Sequence, residues 1–257
     1  GMDIVGGAGI SLGPKNLLAH PYMACPIGVT VEGANILTRT LMIFGQGAIR
    51  CHPFALKEIH AVEENNLGKF DKAFWAHIGH VIRNFVRMLV LGFSRGLLAK
   101  PGRVNRLTRY YQKISWVSAT FAFYADVAMM LFGGNLKRRE CLTGRFGDIL
   151  SWMYLSSAVL KRFEAEGELK EDLPLVQWSL DYANHNIQQA FLGLLDNMGI
   201  LFKIPRYFIQ INAFGSYPSD ALSAKVALAI QKPGAQRDRL TDGIHVPKNT
   251  EEQLGKI

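Results

Sequence analysis

Cysteine is scarce in this chain: Cys25, Cys51 and Cys141 are the only three in 257 residues, an odd number with no CxxC pair. A disulfide scaffold is thereby excluded, and the thiols read as reduced, intracellular and mostly packing residues. Charged side chains make up only 19% of the chain, too few for a disordered polyelectrolyte, and the 25 glycines and 10 prolines follow no collagen-like period. No internal repeat or low-complexity tract stands out. An uninterrupted membrane-length apolar run is also missing. The best window, Ser115 to Gly134, contains Asp126, and the next, Phe85 to Lys100, contains Arg87 and Arg95, so both read as core helices. The front, GMDIVGGAGI, lacks a basic n-region and a cleavage site, so no secretory signal is expected. Gly1 ahead of Met2 reads as a scar of tag removal, and the chain as a fragment. Acidic residues are outnumbered, 21 against 29, leaving a net charge of +8 and a pI near 9.4. Such a surface suits acidic partners, yet the basic clusters Lys100 to Lys113 and Leu136 to Glu140 are short, and nucleic-acid binding is not expected.

What the chain has is apolar residues, 49% of it, enough to fill a real core. From Ile36 onward they recur at intervals of three and four, which predicts an all-α fold. Helices are expected at about 34–49, stopped by Cys51-His52-Pro53, and at about 54–64. A third, about 70–98, carries Phe74, Ile78, Val81, Ile82, Phe85, Met88 and Leu89 on its core face and stops at Lys100-Pro101-Gly102. Further helices follow at about 105–132, closed by Gly133 and Gly134, at about 136–166 and at about 175–198. Pro205 opens a shorter one. Long helices with short connectors predict antiparallel bundle packing. The first 31 residues read as loop or short irregular pieces, and the tail after Lys232 as irregular.

Several residues could carry chemistry. The glycines of GGAGI, Gly6, Gly7 and Gly9, would let backbone approach a phosphate or a flavin ring, although a surface turn explains them equally and no βαβ unit surrounds them. Glu32, flanked by Val29, Val31 and Ile36, is either a partly desolvated base or an acid interacting with a helix N-terminus. Asp126 on an apolar helix needs a partner, for which Arg138, Arg139, Arg145 and Asp148 are candidates. His77 and His80, with His60 upstream, share a spacing compatible with metal ligation, but no Asp or Glu of suitable spacing completes a set, so no metal is expected. His52 beside Cys51 is discounted as a nucleophile pair. Trp75, Trp116, Trp152 and Trp178 are expected as core anchors.

Longer strings carry more information. GGAGI followed by VEGANILTR resembles the C-terminal stretch of the acyl-CoA dehydrogenase family, and GVTVEGANILTRTLMIFGQGAIRCHPF is similar to bacterial fatty acyl-CoA dehydrogenases with an additional C-terminal region. Phe121 to Glu164 resembles a signature of that appended region. The resemblance implies a C-terminal part of an FAD-dependent enzyme that oxidises fatty acyl-CoA to trans-2-enoyl-CoA in β-oxidation. By the same resemblance Glu32 is the catalytic base for the α-proton while the β-hydride passes to the flavin. The backbone N–H of Glu32 then bonds the thioester carbonyl, and Gly6, Gly7, Gly9, Gly33 and Asn35 lie at the cofactor. Ala34 stands where the family has Thr, so a hydroxyl contact there is lost. Residues 1–52 would end the catalytic domain, 53–231 would form the appended helical domain, and 232–257 the irregular tail. The piece itself would be inactive and without FAD. A fatty acyl-CoA substrate, an electron-transfer acceptor and homo-oligomerisation are implied, in the cytoplasm and peripherally at the inner membrane. The rival reading is a helical module for dimerisation or for docking on a membrane surface or partner, suggested by RMLVLGFSRGLLAKPGR.

Overall fold

The structure is a computed structural model that describes residues 1–12, 16, 18–28, 34–102 and 104–244. Its described residues are helical with no strand, so the fold is all-α. Two compact units divide the chain, Gly1–Asn35 with Ala229–Ile257, and Ile36–Leu228.

In the first unit, α1 (Met2–Val5) leads into a 3₁₀ turn, Gly6–Ile10, and α2 (Ala19–Ala24) follows. Short α3 (Ala34–Leu37) runs directly into a π-helical stretch, Thr38–Gln46, and then α4 (Gly47–Cys51). The wide winding coincides with Thr40, whose hydroxyl donates back to the Ile36 carbonyl at 2.7 Å. Phe44 from this stretch is buried, stacked on Phe146 with ring centres 4.2 Å apart and edge-on to Phe121.

Next come α5 (Ala55–Glu63) and α6 (Leu67–Phe93), the latter capped by the Asn66 side chain, which accepts from the Lys69 N–H at 3.0 Å. α6 stops at Phe93 rather than at the proline, because Arg95 and Gly96 take positive φ and Gly96 sits so close to the Gln112 carbonyl that an added Cβ would lie 3.0 Å from it. α7 (Thr108–Phe132) starts where the Asn105 side chain accepts from the Leu107 N–H at 2.8 Å. α8 (Glu140–Ala165) and α9 (Leu173–Asn197), with Pro174 in its first turn, form the central packed pair. Amphipathic α10 (Lys203–Ile211) packs on α9, with Gln188 donating to the Ile209 carbonyl and accepting from the Phe214 N–H, both at 3.0 Å. α11 (Asp220–Gln231) and α12 (Ala235–Thr241) complete the described chain. The helix at α12 corrects the expectation of a wholly irregular tail: Gly234 at φ 154 breaks α11 from a new helix start.

The main core joins Trp116, Val117 and Ala128 of α7, Phe146 and Ile149 of α8, and Ile187, Phe191 and Leu194 of α9. The span Thr108–Arg138 is long and apolar enough to cross a membrane by length and composition. In this fold Trp116, Val117, Thr120, Tyr124 and Ala128 of that span are instead packed inside the bundle. Two expectations are corrected. Trp116 is a core anchor, but Trp75 is 68% exposed because it projects from the unpacked side of α6. The three cysteines are free, as expected, but exposed rather than packed.

Candidate functional site

The residues implied by the sequence resemblance fall at the front of the chain. Glu32 and Gly33 lie outside the described residues. Asn35 belongs to α3. Gly6, Gly7 and Gly9 form the 3₁₀ turn after α1, and its closure falls to Asn16, a residue without any sequence signal of its own. The buried Asn16 amide donates to the carbonyls of Gly9 at 2.8 Å and Ser11 at 2.7 Å, while its Oδ1 accepts from the Leu18 N–H at 3.0 Å. Gly6 has φ 58, a left-handed conformation that favours glycine. A side chain added at Gly6 or Gly7 would meet nothing within 4 Å. The turn is thus open at Gly6 and Gly7.

A second constellation forms in the Ile36–Leu228 unit, from residues far apart in sequence. His52 ends the segment after α4, Glu58 lies on α5, His77 and His80 lie one turn apart on α6, and Asp126 projects from α7. Asp126 is buried, its side chain 4% exposed, and its Oδ1 lies 3.0 Å from His52 Nε2 and 3.8 Å from His77 Nε2. The expected partners were wrong. Arg39 of the π-helical stretch takes Asp148 in a two-pronged pair at 2.5 and 2.6 Å, which raises the arginine pKa, chiefly through that hydrogen bond. Arg138, Arg139 and Arg145 line a different surface pocket with Glu140 and Asn197. Asp126 turns toward histidines because α6, not the start of α8, packs along its side of α7.

The hydrogen bonds fix much of the proton arrangement. His52 Nδ1 accepts from the N–H groups of Phe54 and Ala55, at 3.2 and 3.0 Å, closing the start of α5. An imidazole that accepts at Nδ1 carries its proton on Nε2, so His52 presents an N–H toward Asp126. His77 Nδ1 lies 2.8 Å from Glu58 Oε1, an arrangement in which the ring donates to the carboxylate and leaves Nε2 facing Asp126. His80 is held below its ordinary pKa, first by burial, which outweighs the opposing influence of Asp126, with His52, Arg83 and His77 lowering it further. Its ring nitrogens lie 2.8 Å from the Asn84 amide nitrogen and 3.1 Å from Arg83.

Donor atoms of His52, His80 and Asp126 all lie within 4.8 Å of one another. Beside them a cavity of about 330 Å³ is walled by Phe44, Phe121 and Met129 and opens past Cys51. His77 and His80 were visible in the sequence as a spaced pair. That Asp126 and Glu58 join them was not visible, because both come from other helices.

A family-wide sequence description, acyl-CoA dehydrogenase, C-terminal, bacterial type, matches residues 49–257. No solved structure matches the chain.

Proposed function

Because the chain belongs to the bacterial-type acyl-CoA dehydrogenase C-terminal family, we propose that it is the C-terminal part of an enzyme that oxidises fatty acyl-CoA to trans-2-enoyl-CoA, the first step of β-oxidation. The observation that carries this reading is the family match over residues 49–257, which lies downstream of Glu32 and Gly33 in the sequence. FAD is the hydride acceptor of this reaction, approached by the backbone of Gly6, Gly7 and Gly9, and other parts of the parent protein supply most of its binding surface in this reading. Glu32 is the base that takes the α-proton of the thioester. Gly33 and Asn35 sit beside the cofactor in this reading. The isolated chain is inactive, and the parent works as a homo-oligomer in the cytoplasm, with an electron-transfer acceptor and a peripheral contact at the inner membrane.

The test is Glu32→Gln in the full-length parent. Loss of a general base lowers turnover by about 10²–10⁴-fold, with oligomer and flavin content unchanged. Wild-type turnover in that variant rejects the assignment.

A second reading, a helical interaction module, is favoured by one observation. The α6 residues Ile82, Phe85, Val86, Val90 and Phe93 are exposed, although sequence periodicity places Ile82 and Phe85 on a core face. Dimerisation through that face and catalysis by the parent are compatible roles.

A further inference from the structure

We propose that His52, His80 and Asp126, joined by His77, form a binding site for a divalent transition metal ion of the zinc class, which pins the start of α5 and helices α6 and α7 together. Four observations carry this. The donors converge, three of them within 4.8 Å of one another and the His77 Nε2 3.8 Å from Asp126 Oδ1. In a tetrahedral site with bonds of about 2.0–2.1 Å, ligand atoms stand about 3.3 Å apart, so small side-chain rotations close the set.

Two of the four side chains, His52 and Asp126, also present unmatched atoms. Neither oxygen of Asp126 nor His52 Nε2 makes a hydrogen bond among the described residues, although the two side chains are 3.0 Å apart and more than nine-tenths buried. Polar atoms that crowd together without aligning on one another are directed at shared space, and leaving them empty is costly.

Third, Glu58 sits on the far nitrogen of His77, as a carboxylate that orients a metal-binding imidazole does. Fourth, the charges fit. The carboxylates of Asp126 and Glu58 face no Lys or Arg within ion-pair distance among the described residues. A dication supplies the compensating charge. A set of imidazoles with one carboxylate selects zinc, iron, nickel or copper over magnesium or calcium, which prefer oxygen.

Binding has a specific cost. A metal on His52 Nε2 moves the ring proton to Nδ1, so the N–H groups of Phe54 and Ala55 lose their acceptor and turn to water. Metal binding should therefore speed amide exchange at the first turn of α5 while slowing it around Asp126.

The experiment uses the 257-residue chain stripped with chelator and titrated with Zn²⁺ by calorimetry and with Co²⁺ by visible absorption. The expected result is about one ion per chain, a tetrahedral cobalt spectrum, a raised melting temperature and the amide changes above. His80→Ala, a half-exposed position that leaves the buried His52–Asp126 pair in place, should weaken binding at least about tenfold, and Glu58→Gln by about 10–100-fold. His185→Ala and Cys141→Ser should bind as the wild type does. Absence of stoichiometric binding by the folded chain, or equal binding by folded His80→Ala and Asp126→Asn, overturns the proposal.

Discussion

A carboxylate buried as deeply as Asp126 must be answered by charge or by hydrogen-bond donors, and the fold brings three imidazoles to it. This makes the folded state sensitive to acid through His80. Its folded pKa lies below the ordinary imidazole value of about 6.5, so the unfolded chain takes up a proton first as pH falls. The contribution of His80 to stability is therefore complete above the unfolded value and is lost as pH falls through the folded one. In the presence of chelator, the denaturation free energy of the wild type should drop as pH falls below the ordinary imidazole value, and His80→Asn should flatten that slope. An unchanged slope in the variant removes His80 as its source. At this scale the sequence displayed His52, His77, His80 and Asp126 but not their grouping, because no local spacing links residue 52 to residue 126.

Between elements, the π-helical stretch approaches α8 closely. A Cβ on Gly147 would stand 2.6 Å from the Arg39 carbonyl oxygen, and one on Gly144 would stand 3.1 Å from the Arg39 guanidinium. The two glycines let the backbone of Thr38–Gln46 lie against α8, where Phe44 reaches Phe146 and Arg39 reaches Asp148. Gly147→Ala should destabilise the fold by about 1–3 kcal/mol, since a backbone carbonyl cannot rotate aside as a side chain can. Gly134→Ala, which meets nothing within 4 Å, serves as the control. Equal midpoints for the two variants in chemical denaturation would contradict the close packing. Helix positions were legible from apolar spacing, and several ends from proline or glycine. The π winding was not legible, because the same residues satisfy both windings until α8 constrains the backbone.

For the Ile36–Leu228 unit, the notable feature is apolar surface without a cover. A cavity of about 480 Å³ between α6, α7 and α10 is lined by Met88, Phe123 and Phe208 and rimmed by Phe93, Leu201 and Ile204, which are 75%, 83% and 82% exposed. Association of two copies through this rim removes it from water. Sedimentation should show the mass of the wild-type chain rising with concentration, and the double variant Phe93→Glu, Leu201→Glu should remain monomeric. Monomeric wild type at all concentrations rejects self-association. The composition and the three-to-four apolar period were enough to establish an all-α chain, because helical burial needs only one apolar stripe per helix. Long strings such as Phe121 to Glu164 were enough to establish the family. The direction in which each stripe points, and hence which apolar face is left open and which histidines meet Asp126, depends on how helices distant in sequence pack. That is a property of the assembled volume, which local spacing does not encode.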